Sequence, residues 1–204
     1  MITARRRLRG LAGIVAGLAV VAALAGCTSN DALAEDYKDG GNPGYVSGDG
    51  SVTEFAAAER SEPVEFESEL SDGTPVSSDD YKGQVLVVNF WYAACPPCRV
   101  EAPDLQQVSA DFEGKGATFL GVNVRDQAAT ADTFNDEFGI TYPTVIDTNE
   151  RNMVLAFAGN VQPNAVPTTL VLDKEGRVAA RFLGLVKEAS ILETVIADTL
   201  AEAD

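Results

Sequence analysis

Two cysteines three positions apart, Cys95-Pro96-Pro97-Cys98, follow closely on the apolar run Val85-Leu86-Val87-Val88-Asn89-Phe90-Trp91. A strand ending there delivers the first thiol to a turn, and the second lies about one helical turn further on. Thiols at that spacing can close a small disulfide ring. At a helix N-terminus, backbone N–H groups and the helix dipole favour the thiolate, the species that attacks disulfides. The chemistry this predicts is thiol–disulfide exchange, with Cys95 as the more exposed nucleophile and Cys98, inside the first helical turn, as the resolving thiol. Pro96 and Pro97 carry no N–H, which leaves the Cys98 N–H as the nearby donor to the Cys95 sulfur. Such partial stabilisation of the thiolate suits a reductant better than a strong oxidant. The competing readings are a structural disulfide and half of a zinc site. With no histidine and no second C-x-x-C, four-ligand zinc would need a dimer or distant carboxylates. No metal is expected, and no cofactor beyond the cysteine pair itself.

The elements that must hold this pair are legible around it. Residues 64–70 alternate as a strand, Ser71-Asp72-Gly73-Thr74 makes a hairpin turn, and residues 77–82 suit a helical turn ended by Gly83. Residues 85–90 read as a strand buried on both faces. Residues 97–112 read as a helix with Leu105, Val108 and Phe112 on one face and Pro103 bending it. A second buried strand follows at 117–124, an amphipathic helix at 130–138 ended by Gly139, a short strand at 144–146 and a helix around 151–157. Residues 168–172 and 177–182 form a hairpin across Asp173-Lys174-Glu175-Gly176, and 190–200 a terminal helix with Ile191, Val195 and Ile196 inward. Strand, helix and strand followed by a hairpin and a helix predict an α/β sandwich around a mixed sheet.

Residues 1–26 read as an export signal: Arg5, Arg6, Arg7 and Arg9, an apolar stretch from 11 to 24, then Leu24-Ala25-Gly26-Cys27, the pattern of a bacterial lipobox. Cys27 is the expected lipid acceptor. The alternative is an uncleaved anchor helix, and both readings place the chain at a membrane, on its extracytoplasmic face. Of the three cysteines one is thus assigned to lipid and two to the pair, in a compartment where disulfides persist. Residues 27–61, rich in Gly, Ser, Asp and Ala, are expected to be the lipidated cysteine and a flexible linker of roughly 30 Å root-mean-square span. The folded domain is expected at 62–204. The 204-residue chain carries 15 Lys+Arg against 31 Asp+Glu, a net charge of −16. That excludes nucleic acid as a natural partner and disfavours spreading on an anionic bilayer.

Taken together, Val88-Asn89-Phe90-Trp91, Cys95-Pro96-Pro97-Cys98-Arg99, Glu101-Ala102-Pro103, Gly121-Val122-Asn123 and Val166-Pro167-Thr168-Thr169 resemble the thioredoxin fold over about residues 62–200. Within that fold they resemble the membrane-anchored TlpA/ResA-like thiol–disulfide oxidoreductases. The resemblance implies a thioredoxin-like three-layer α/β sandwich and a cis Pro167 facing the active cysteine, with the Val166 backbone free to pair with an extended substrate. It also implies that Glu101 tunes the thiols; a solvated helical glutamate is the competing reading. Relatives usually carry Trp directly before the first cysteine, where this chain has Ala94, so Trp91 or Tyr92 is expected to compensate, and Trp91 is assigned to substrate binding. Thioredoxin itself has a buried Asp at the place of Asn89, so that acid/base role is absent here. The implied function is reduction of protein disulfides, with electrons received from a membrane thiol carrier of the CcdA or DsbD kind. They would pass to oxidised proteins such as apocytochrome c. A disulfide-forming oxidase or isomerase, and a non-catalytic lipoprotein binding module with a structural disulfide, are the alternatives. A peroxiredoxin is disfavoured by Tyr92 standing where a hydroxyl residue of another kind is expected.

Overall fold

Strand Val85–Trp91 is buried along its whole length, as a run of β-branched and aromatic residues requires. It lies in the middle of a six-stranded sheet in the computed structural model, which describes residues 50–161 and 165–202. In chain order the strands are β1 (Ser51–Glu54), β2 (Glu67–Glu69), β3 (Pro75–Ser77), β4 (Val85–Trp91), β5 (Ala117–Asn123), β6 (Thr144–Ile146), β7 (Thr168–Leu172) and β8 (Val178–Leu183). The helices are α1 (Pro96–Phe112), α2 (Ala128–Phe138), α3 (Asn152–Ala156) and α4 (Ala189–Ala201). The sheet order is β1-β8-β7-β4-β5-β6, with β5 parallel to β4 and β6, and β7 antiparallel to β4 and β8. β2 and β3 form a separate hairpin.

Alternate residues of β4 sort onto two faces, as the pleat dictates. Val85 and Val87 join Leu105 and Val108 of α1 and Leu192, Val195 and Ile196 of α4 in one core cluster. Leu86, Val88 and Phe90 join Ala131 and Phe134 of α2 and Met153 and Val154 of α3 in the other. Helices cover both faces, so the expected thioredoxin-like three-layer sandwich is the observed one. α1 runs as one element through Pro103. Gly139 ends α2 in the left-handed conformation, φ 68°, which a residue with a Cβ adopts at a cost.

Two expectations are corrected. Folded structure precedes Glu62: residues 51–54, expected in the linker, form β1, paired with β8 from Ser51 opposite Leu183 to Glu54 opposite Ala180. This strand has a single apolar residue, Val52, itself 37% exposed, so main-chain hydrogen bonds rather than burial hold it. Ile191 is 45% exposed, and the neighbouring Leu192 faces inward instead; at 100° per residue Leu192, Val195, Ile196 and Thr199 make one stripe. The expected signal at 1–26, Cys27 and the linker up to residue 49 lie outside the described residues. Among the described residues no helix is long and apolar enough to cross a membrane.

Arg60 fastens the N-terminal arm. Its side chain is buried, with Nη1 2.9 Å from Asp173 Oδ2 and Nη2 2.5 Å from Glu202 Oε1, and Nε donates to the Phe55 carbonyl at 3.1 Å. Asp173 also accepts from Arg177 Nε at 2.9 Å. Arg60→Ala is expected to destabilise the domain by about 3 kcal/mol, since it strands buried acceptors. A lowered urea midpoint would register this; an unchanged midpoint would mean that the arm contributes nothing.

Candidate active site

β4 ends at Trp91 and residues 92–95 turn the chain into α1, with the Cys95 N–H donating to the Tyr92 carbonyl at 3.1 Å. Cys95 is the N-cap of α1. Pro96 and Pro97 fill the first two helical positions, where an N–H would have no intrahelical partner. The Cys98 N–H donates to Cys95 Sγ at 3.3 Å, the contact expected from two prolines that have nothing to donate. The sulfurs are joined in a disulfide, S–S 2.06 Å, with the Cα atoms 5.3 Å apart.

The expectation that Cys95 is the more exposed of the pair does not hold in this oxidised state. Cys95 is 0% and Cys98 2% exposed, and both belong to the core cluster that contains Tyr92, Val161 and Val166. Part of the reason is local, and the rest is the surrounding core. The Cys95 sulfur accepts from the Cys98 N–H and is bonded to Cys98 Sγ, so it is drawn along the start of α1 rather than out to water.

The segment before β7 arrives at the same end of the sheet. Thr168 lies opposite Phe90 in the antiparallel β4–β7 pairing, which sets Val166 and Pro167 beside the end of β4. The Val166–Pro167 peptide bond is cis, as the resemblance implied, and both residues are buried. The segment is fixed by Thr168 Oγ1 donating to the Ala165 carbonyl at 2.6 Å and by the Gly184 N–H donating to the Pro167 carbonyl at 2.9 Å.

Glu101, one helical turn after Cys98, is 1% exposed, so the solvated reading is excluded. Oε1 accepts from Asn89 Nδ2 at 2.9 Å and Oε2 from the Val186 N–H at 2.9 Å. Asn89 Nδ2 also donates to Thr169 Oγ1 at 3.0 Å. Burial pushes the Glu101 carboxyl up to about 8, against the two hydrogen bonds, which favour the anion. Burial, and then the Glu101 carboxyl, push the nearby Tyr142 phenol up as well. Asn89, Thr169 and Val186 were not assigned to the site from sequence. One signal was available, an asparagine inside an otherwise apolar strand, since a buried amide needs partners.

Trp91 is not at a substrate-facing rim. It is 4% exposed and packed against Phe134, the ring centroids 4.3 Å apart and the planes tilted by 33°. It lines a cavity of about 10 Å³ with Asn89, Cys98, Ala102 and Tyr142, which is too small for a peptide. Its indole fits because Gly121 on β5 has no side chain: a Cβ there would lie 3.1 Å from Trp91 Nε1 and 3.0 Å from Thr144 Oγ1.

In the folded protein Glu101 keeps its proton up to about pH 8, whereas the unfolded chain releases it near 4.5. Between these values the folded state binds the extra proton, so stability falls as pH rises from about 4.5 to about 8 and is level above that. The fall is on the order of 5 kcal/mol at most. Glu101→Gln should abolish the slope in urea titrations of the oxidised protein; an identical slope in the variant would assign the titration to another group.

Residues 61–181 match the AhpC/TSA family. The thiol-disulfide oxidoreductase ResA of Geobacillus kaustophilus (strain HTA426) is 33% identical over 112 residues, covering 55% of this chain and 62% of the relative, less than two thirds of that protein's length. The thiol-disulfide oxidoreductase ResA of Bacillus subtilis (strain 168) is 30% identical over 134 residues, covering 66% of this chain and 72% of the relative. Among solved structures, a DsbF homologue from Corynebacterium diphtheriae aligns with a TM-score of 0.66 at 38% identity, covering 76% of this chain and 97% of that one.

Proposed function

This chain belongs to the AhpC/TSA family and, within it, to the ResA-like thiol–disulfide oxidoreductases, and we propose that it works chiefly as a reductant of protein disulfides through the Cys95/Cys98 dithiol. The observation that carries the direction is the Cys98 N–H to Cys95 Sγ contact at 3.3 Å, with prolines at the two positions between. A thiolate with so little local stabilisation leaves the dithiol a willing electron donor, because a strong oxidant needs its reduced form stabilised.

Cys95 thiolate attacks one sulfur of a substrate disulfide; the Cys95–substrate bond forms as the substrate S–S bond breaks, and one substrate thiolate leaves. Cys98 thiolate then attacks Cys95 Sγ, closing the Cys95–Cys98 disulfide and releasing the second substrate thiolate. Two electrons pass from the protein dithiol to the substrate. Glu101, a turn from Cys98 and with its proton affinity raised by burial, is the group we assign to proton exchange with the thiols: its ionised fraction accepts the proton of Cys98 as that thiol becomes the attacking thiolate. The Val166 backbone pairs with the extended substrate chain, in line with the resemblance. The substrates are oxidised proteins, apocytochrome c cysteines among them, and a membrane thiol carrier of the CcdA or DsbD kind restores the dithiol. The site uses no cofactor besides its own disulfide. Cys27 carries the lipid that holds the domain at the extracytoplasmic face of the membrane, and the apolar run and small residues ahead of it support this.

Incubated with an oxidised C-x-x-C-H peptide, Cys98→Ser is expected to accumulate a mixed disulfide at Cys95, and Cys95→Ser to form none. The wild-type midpoint potential should lie well below about −120 mV, the range of strong oxidants. Failure of Cys98→Ser to trap the peptide would reduce the pair to a structural staple, and a potential near −120 mV would reverse the direction of transfer.

A further inference from the structure

The turn that presents Cys95 is gripped from outside by groups that the exchange chemistry leaves unused. Ala93, two residues before Cys95, donates its N–H to Asp126 Oδ2 at 2.6 Å. The same oxygen accepts from Asn123 Nδ2 at 2.9 Å. Asn123, 0% exposed at the end of β5, accepts the N–H groups of Arg125 and Asp126 on its Oδ1 at 3.0 and 2.7 Å, and Thr148 Oγ1 donates to the Asp126 carbonyl at 2.8 Å. Asp126 is thus aimed by its own loop. On the following peptide, Arg99 Nη1 donates to the Ala93 carbonyl at 3.4 Å. Its guanidinium sits over Phe134 and Phe138, 5.8 and 4.9 Å from the ring centroids, and is paired with Glu137 at 2.5 Å.

We propose that Asp126, oriented by Asn123, is a positioning residue that holds the Ala93 N–H and thereby fixes where the Cys95 sulfur stands relative to Cys98. Residues 92–95 are a single turn closed by the Cys95 N–H on the Tyr92 carbonyl, so the Tyr92–Ala93 peptide sets its orientation. An anchored turn keeps the two thiols of the reduced protein close to bonding geometry, which raises the effective concentration of one at the other and favours the disulfide. Releasing the anchor lowers that concentration, and the disulfide becomes easier to reduce. The Gly121-Val122-Asn123 segment acquires a role here: its glycine admits Trp91 and its asparagine aims the carboxylate.

The proposal rests on thiol–disulfide exchange at Cys95–Cys98, and equilibration with glutathione tests both separately. In that reaction one protein disulfide becomes two thiols while two glutathiones become one glutathione disulfide. Exchange of the wild-type protein tests the chemistry; only the difference between variants tests the anchor. Asp126→Ala is expected to favour the dithiol about ten-fold, a potential about 30 mV less negative. Asp126→Asn, whose amide oxygen can accept both N–H groups without the charge, should stay within about two-fold of wild type. No change in Asp126→Ala overturns the proposal, and so does an equal shift in Asp126→Asn, which would make the charge the cause. Should Asp126→Ala not fold, Asn123→Ala takes its place, with a shift of at least about three-fold in the same direction expected and no shift overturning the proposal.

Discussion

A carboxyl group 1% exposed to solvent is expensive to keep, and Glu101 is kept by two N–H donors from different parts of the chain. Asn89 offers its amide from β4 and Val186 its main chain from the loop between β8 and α4. Asn89 also reaches Thr169 on β7, so the start of α1, the central strand and the segment following Pro167 share one set of hydrogen bonds. Unpaired, any of these polar groups would cost the full price of desolvation. Satisfied together, they fix α1 over the sheet, and α1 carries both sulfurs.

A buried carboxyl is present here all the same, on α1 rather than on β4. Asn89 stands where thioredoxin has a buried aspartate, and read alone it implied that the acid/base function was missing. In the folded chain the buried carboxyl comes from the helix instead, and the asparagine is its hydrogen-bond donor. The titratable group therefore belongs to the same element as the resolving cysteine, and hydration, packing and proton affinity at this point are set by one helix-to-sheet contact.

What could be read beforehand was whatever local pattern decides. The apolar run of β4, the prolines opening α1, Gly139 closing α2 and the Asp-Lys-Glu-Gly turn between β7 and β8 each carry their cause within a few residues. What escaped depends on distant partners. β1 has no apolar alternation and exists because β8 offers it main-chain groups. Ile191 and Leu192 are adjacent and equally apolar, so only the packed helix tells which one faces the sheet. The partners of Glu101 lie 12 and 85 residues away, and those of Ala93 33 and 6 away, across a bend that sequence spacing does not reveal. The exposure of Cys95 was misjudged for the same reason: position at a helix start is local, but enclosure is made by the whole core.

That enclosure has a consequence for which partners the pair meets. A disulfide with 0% and 2% exposed cysteines exchanges slowly with small thiols that meet it by random collision, although the equilibrium it reaches with them is unchanged. The rate of electron transfer then depends on contact area: a macromolecule that binds long enough to displace the cover exchanges faster than a metabolite of a few atoms. Selectivity of this kind costs speed, and it favours partners large enough to lift the cover over those that merely collide with it.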